Sequence, residues 1–329
     1  MKINSNKKKS FLILLSLIAV LGLFLVSINL GSIKVEINEL IKGLLYNTNN
    51  PKINIIKDIR IPRVIAAIII GSNLAVSGVL LQAIIRNPLA EPSIVGISSG
   101  ASLVSVVILL FLPKLNFIRP LFGFLGGLLA CMMVFSLSYK KGLSAIRIVL
   151  AGVAVNAMIT AITNITIQFG AGTISSIQSW LTGSLANITW IDIKLLLVYS
   201  IIGHIGAFLL YKSCDLIALG EKNAKSLGLN YDLHMFLICI VAVFLSATAT
   251  SIGGVIAFVG LVVPHICRII MGSTHKYLIP FSITMGAILL LIADTVGRIV
   301  FSPLEIPVGV VMAVIGGLVF LCLLRRSEV

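Results

Sequence analysis

The stretch IRIPRVIAAIIIGSNLAVSGVLLQAIIRNPLAEP occupies residues 59–92. Between Arg63 and Arg86 it holds 22 residues without a formal charge, about the length that carries an α-helix across a bilayer. The run is continuous and does not alternate, so it reads as a helix and not as a strand of an outer-membrane barrel. Pro62 sits where a helix starts and its missing N–H costs nothing. At the far end Arg86, Asn87 and Pro88 close the run.

Working outward, the rest of the 329-residue chain is of the same kind: 58% hydrophobic, 11% charged, with a mean hydropathy of +1.13. A soluble domain carries about 25% charged residues, and no soluble core could absorb this much apolar sequence. Apolar runs fall at about 11–30, 61–84, 94–112, 120–138, 145–168, 193–211, 233–250, 255–271, 278–297 and 307–324. The expected fold class is therefore all-α, a polytopic membrane protein with about ten transmembrane helices in one permease domain over residues 1–329. The first run follows MKINSNKKKS, is about 20 residues long and has no small-residue cleavage site after it, so it reads as a membrane helix and not as a signal peptide.

The formal charge of +14 points to topology and not to nucleic acid, because the basic residues lie between apolar runs. With a cytoplasmic N-terminus, fifteen lysines and arginines fall inside and ten outside, which places both termini in the cytoplasm of a multi-pass cell-membrane protein. Arg60 and Arg63 then face outside. Their spacing puts them on one face of the helix, where they either snorkel to the interface or serve a partner.

No phosphate-cradling G-x-x-x-x-G-K-[ST] run occurs, and no H-E-x-x-H or G-x-S-x-G. The five cysteines are scattered and read as small apolar side chains; no metal site, cofactor or catalytic residue is expected. No carboxylate is expected deep within a span, so no proton relay is apparent. The fifth run carries Asn156, Thr160, Asn164 and Gln168 at successive four-residue steps, one slowly drifting stripe. Amides do not face lipid cheaply, so the stripe either glues helices together or lines a wet path. Residues 212–232, including LIALGEKNAKSLGLN, read as a compact cytoplasmic element flanked by Gly220 and Gly228.

The long stretch RIPRVIAAIIIGSNLAVSGVLLQAIIRNPLAEPSIVGISSGA resembles the signature of the FecCD-type permeases. LAGVAVNA, WLTGSL, LGEKNAKSLGLN, IAFVGLVVPHICRIIMGSTHKYLIP, LLIADTVGR and EIPVGVVMAVIGGLVFLCLL follow in the family's order, covering residues 55–324. The resemblance implies a ten-helix permease that works as a pair, with a second copy or a related chain. It implies two ATP-binding subunits inside and an extracytoplasmic solute-binding protein outside. The cargo would be an iron–siderophore complex, with heme or cobalamin as alternatives. It also implies roles by position. Arg60, Arg63 and Arg298 match the outer-surface residues that engage acidic groups of the binding protein. Asn87, Pro88 and Leu89, with Ser144 of KKGLSAIR, match a cytoplasmic gate. Leu219, Gly220, Glu221, Ala224, Leu227 and Gly228 match the element that seats on the ATPase. A secondary carrier or channel without an ATPase is the reading of a different class.

Overall fold

The computed structural model describes residues 6–30, 50–139, 144–170, 174–300, 302 and 304–326. Ten helices account for the ten apolar runs: α1 (Asn6–Asn29), α3 (Ile61–Ile85), α4 (Ile97–Phe111), α5 (Arg119–Ser138), α6 (Ala145–Gln168), α8 (Trp190–Leu209), α11 (Tyr231–Gly253), α12 (Val259–Met271), α13 (His275–Ile299) and α14 (Val308–Arg326). Among the described residues, four short helices join them: α2 (Pro51–Ile55), α7 (Ile174–Leu181), α9 (Tyr211–Ala218) and α10 (Glu221–Ser226). No strand occurs among the described residues.

Helix α3 is the axis. It carries apolar residues on every side and is buried on nearly every residue, as such a helix must be. It packs against α13, α11, α12 and α8. Small residues let these backbones close. A Cβ on Gly71 would fall 2.2 Å from the Gly286 carbonyl oxygen of α13, and one on Gly286 would fall 2.3 Å from that of Gly71. Dispersion between touching backbones replaces the hydrophobic driving force that lipid cannot supply. GFLGG works in the same way: Gly126 of α5 meets Gly100 of α4.

The two ends of α3 define two faces of the molecule. At its start, a single π-turn (Ile56–Arg60) links it to α2, and the Trp190 indole of α8 donates to the Lys57 carbonyl oxygen at 3.1 Å. At its end, Arg86 adopts a left-handed φ of 53° and lies beside Gly220, just before α10.

Two of the spans are shorter than their apolar runs. At 1.5 Å per residue, the 15 residues of α4 and the 13 of α12 cover only about 20 Å of a hydrocarbon core of about 30 Å. Residues 90–96 and 254–258 make up the rest in non-helical conformation. Pro92 packs on Gly260, and the Ile94 carbonyl oxygen lies 2.0 Å from where a Gly152 Cβ would stand. Gly152 is seven residues into α6, about 10 Å below the helix start. The chain after Pro88 thus folds back into the membrane layer. Such backbone is tolerated there only because protein surrounds it. The expected spans at 94–112 and 255–271 therefore begin three to four residues too early.

Candidate functional site

Arg60, Arg63 and Arg298 converge where α1 and α13 end and α3 begins. The Arg63 Nε donates to both carboxylate oxygens of Asp294, at 2.9 and 3.2 Å, and its Nη1 to Glu305 Oε2 at 2.5 Å. Arg298 lies 3.2 Å from the same Asp294 through its Nε. Its Nη2 donates to the Ser27 carbonyl at 3.1 Å and hydroxyl at 2.7 Å, and its Nη1 to the Leu30 carbonyl at 3.3 Å. Arg60 Nη1 donates to the Ile28 carbonyl oxygen at 2.8 Å.

The physics of a helix end explains this convergence. The last carbonyls of α1 have no intrahelical donors, and cations are favoured beside them. The guanidinium groups satisfy those carbonyls, and Asp294 lies between two of them. As a result the three arginines are only 5–8% exposed and Asp294 is fully buried. They lie beneath the face on which the sequence reading put them, turned inward to Asp294, Glu305 and the end of α1.

Asp294, five residues from the end of α13, is one of two carboxylates whose burial the sequence does not show. The other is Glu91, in the re-entrant segment and 4% exposed. One of its oxygens accepts the Phe258 N–H at 3.0 Å, and the other accepts the Ser93 hydroxyl. Phe258 is the N-cap of α12 with a φ of 69°, a conformation costly for a non-glycine residue. Glu91 thus holds the first turn of one short span from the break that precedes the other. Nearby, Gln82 of α3 donates to the Gly260 carbonyl at 3.1 Å and accepts from Arg268 Nη1 at 2.5 Å. The sequence signal for Glu91 was an acid between two prolines, directly before an apolar run.

The stripe on α6 divides. Asn156 is half-buried; its amide donates to the Ser93 carbonyl at 2.8 Å and its oxygen accepts from the Ser99 hydroxyl at 2.6 Å. It fastens the re-entrant segment and α4. Thr160, Asn164 and Gln168 are exposed on the chain's surface. The face of α6 that packs on its own chain is a neighbouring one, through Gly152, Val155, Ile159, Thr163 and Ile167.

On the face at the end of α3, Asn87 is half-buried and closes a side-chain turn on the Leu89 N–H at 2.9 Å, while Pro88 and Leu89 are exposed. Ser144 is half-buried and precedes α6; residues 140–143 of the same turn lie outside the described residues. The compact element is helical, as α9 and α10. Ala224 is fully buried, whereas Leu219 is 54% and Leu227 61% exposed. Gly220 and Gly228 take φ of 96° and 83°, which a side chain would resist. Glu221 and Lys225 pair across one turn at 2.8 Å. That hydrogen bond holds the Glu221 carboxyl below the usual carboxylate range and raises Lys225.

WLTGSL also has a place. Trp180 of α7 donates to the Ile252 carbonyl at 3.0 Å, and the Gly183 carbonyl accepts the Gly309 N–H at 2.9 Å. These bonds tie α7 to the break between α11 and α12 and to the start of α14.

Comparison with known proteins agrees with this architecture. A structure described as "An inward-facing conformation of a putative metal-chelate type ABC transporter" superposes with a TM-score of 0.80 at 27% identity, covering 96% of this chain and 99% of that one. PsaBC from Streptococcus pneumoniae, in complex with Fab, shares the fold with a TM-score of 0.61 at 20% identity over 87% of this chain and 95% of that one. The "Probable heme-iron transport system permease protein IsdF" of Staphylococcus aureus strain MSSA476 is 37% identical over 323 residues, 98% of each chain. Its counterpart in strain Newman is 36% identical over the same span. Residues 17–326 match the FecCD transport family, and the chain belongs to that family.

Proposed function

We propose that this membrane permease is the translocating subunit of an ATP-driven importer and that its cargo is heme. The observation that carries the cargo is the 37% identity, over 98% of both chains, to a permease named for heme-iron transport. An iron–siderophore complex is the second reading, favoured by the likeness to a transporter of metal-chelate type. The exposed stripe holds no charge, thiol or imidazole that would grip iron. A bulky chelate would then slide past Thr160, Asn164 and Gln168 without ligation, and selectivity would rest with a solute-binding protein.

In this reading the α10 face is cytoplasmic, in keeping with the basic residues on it. The exposed Leu219 and Leu227, at the two ends of α10 beside its glycine turns, suit a socket on an ATP-binding subunit. Asn87, Pro88, Leu89 and Ser144 would form the inner gate. The polar stripe is costly against lipid, which favours a second permease copy or related chain across a shared path. The binding protein would dock on the outer face above Arg60, Arg63 and Arg298, whose ion-pair network sets the shape of that face.

Two buried carboxylates reopen the alternative of a proton-coupled carrier, but each is already held: Asp294 by two arginines and Glu91 by a backbone N–H and a hydroxyl. Uptake into proteoliposomes, with and without the ATP-binding subunit and binding protein, tests the importer. Competition between heme and ferric siderophores tests the cargo. Uptake of siderophore alone would overturn the heme reading.

A further inference from the structure

A cavity of about 620 Å³ opens on the outer face between the turn 112–118, α7 and the start of α8. None of the roles above uses it. Its polar wall is built from Lys114, Arg119, Asn187 and Asp192, with Trp180 behind them.

Arg119 is 7% exposed, and its Nε has no hydrogen-bond partner in the structure. Its Nη2 lies 3.4 Å from Asp192 Oδ1. That carboxylate is a weak partner because its other oxygen is committed to the capping box of α8. There it accepts the Thr189 N–H at 3.0 Å and the Thr189 hydroxyl at 2.7 Å. A buried donor left unpaired is expensive. Two cations against one carboxylate also leave the wall with a net charge of +1. The cavity is therefore short of one anion that can accept from a guanidinium.

The surroundings say what carries that anion. Phe111, Leu112, Phe117 and Ile191, at or beside the mouth, are 47–67% exposed. Trp190 is 38% exposed at the same level. Exposed apolar and aromatic side chains gathered near helix ends suit the level where headgroups meet acyl chains. Arginine matches phosphate with its fork of donors, and basic pockets between membrane helices suit anionic headgroups. The volume is within the range of small-ligand sites.

We infer that this cavity holds the phosphate headgroup of an anionic phospholipid, with Arg119 and Lys114 on the phosphate and the acyl chains over Phe117 and Ile191. The inference holds whatever the cargo. Because α7 forms part of the wall and is hydrogen-bonded to the α11–α12 break, an occupied cavity would steady that outer layer.

The test uses the full chain, delipidated in neutral detergent, with the thermal midpoint followed as phosphatidylglycerol, phosphatidylcholine or inorganic phosphate is added. Phosphatidylglycerol is expected to stabilise the wild type saturably and phosphatidylcholine much less. Lys114→Gln and Arg119→Gln should each weaken the apparent affinity about tenfold or more, the scale of a lost charge-assisted hydrogen bond. Lys114 is exposed, so that variant folds even if Arg119→Gln does not. Equal affinity in the wild type and Lys114→Gln would overturn the site. So would inorganic phosphate alone matching the lipid, because the cavity would then take a free anion.

Discussion

Replacing Asp294 with alanine removes the buried carboxylate that lies within ion-pair distance of both Arg63 and Arg298. Both guanidinium groups stay 5–7% exposed, and Glu305 is left to balance them. Removing one partner of a buried pair costs about 3–5 kcal/mol, two to four powers of ten in the folded population. An exposed pair is worth only about 0–1 kcal/mol. The two ways of using these arginines therefore predict different magnitudes. The double reversal Arg60→Glu with Arg63→Glu is harsher still. Three arginines against two carboxylates, net +1, become one arginine against four, net −3. Thermal unfolding and monodisperse yield in detergent are the assay, with binding-protein affinity measured per folded molecule. Both variants should fold poorly, and Asp294→Asn, which keeps an acceptor, should lie between them and the wild type. If Asp294→Ala and the double reversal melt like the wild type while binding-protein affinity alone falls, the structural network is refuted and direct docking by the arginines stands.

Glu91→Leu should cost about 1–3 kcal/mol by orphaning the Phe258 N–H and slow transport, while Glu91→Gln, still an acceptor, should be mild; equal transport rates in both would remove the latch. Ala224→Pro should break α10, by about 3 kcal/mol, and abolish co-purification of the ATP-binding subunit without affecting membrane insertion. Cysteines at 160, 164 and 168 in a cysteine-free background should react with water-soluble thiol reagents in at least one transport state, whereas one at 156 should react least; uniform inertness would make the stripe a packing surface.

The ten spans were legible because lipid demands continuous apolar runs, and Gly, Pro and charge punctuate them. The re-entrant breaks were not. Ile94, Val95, Val255 and Ile256 are as apolar as any helix interior, so hydropathy runs straight across the unwound turns. The arginine network was half legible. The spacing of Arg60 and Arg63 put them on one helix face, but which way that face turned depended on Asp294, 231 residues from Arg63 in sequence. The α6 stripe had the same limit: periodicity fixed a common face, and only packing separated Asn156, held by Ser93 and Ser99, from the three positions left open.

The central claim is that this permease moves an iron-bearing chelate only with ATP hydrolysed on another chain. Time-resolved uptake of heme into proteoliposomes holding the permease, its ATP-binding subunit and ATP, with heme-loaded binding protein added outside, tests it most directly. The predicted result is accumulation that stops when either partner protein or ATP is omitted, and no hydrolysis by the permease alone. Accumulation by the permease by itself, driven by a proton gradient, would contradict the account.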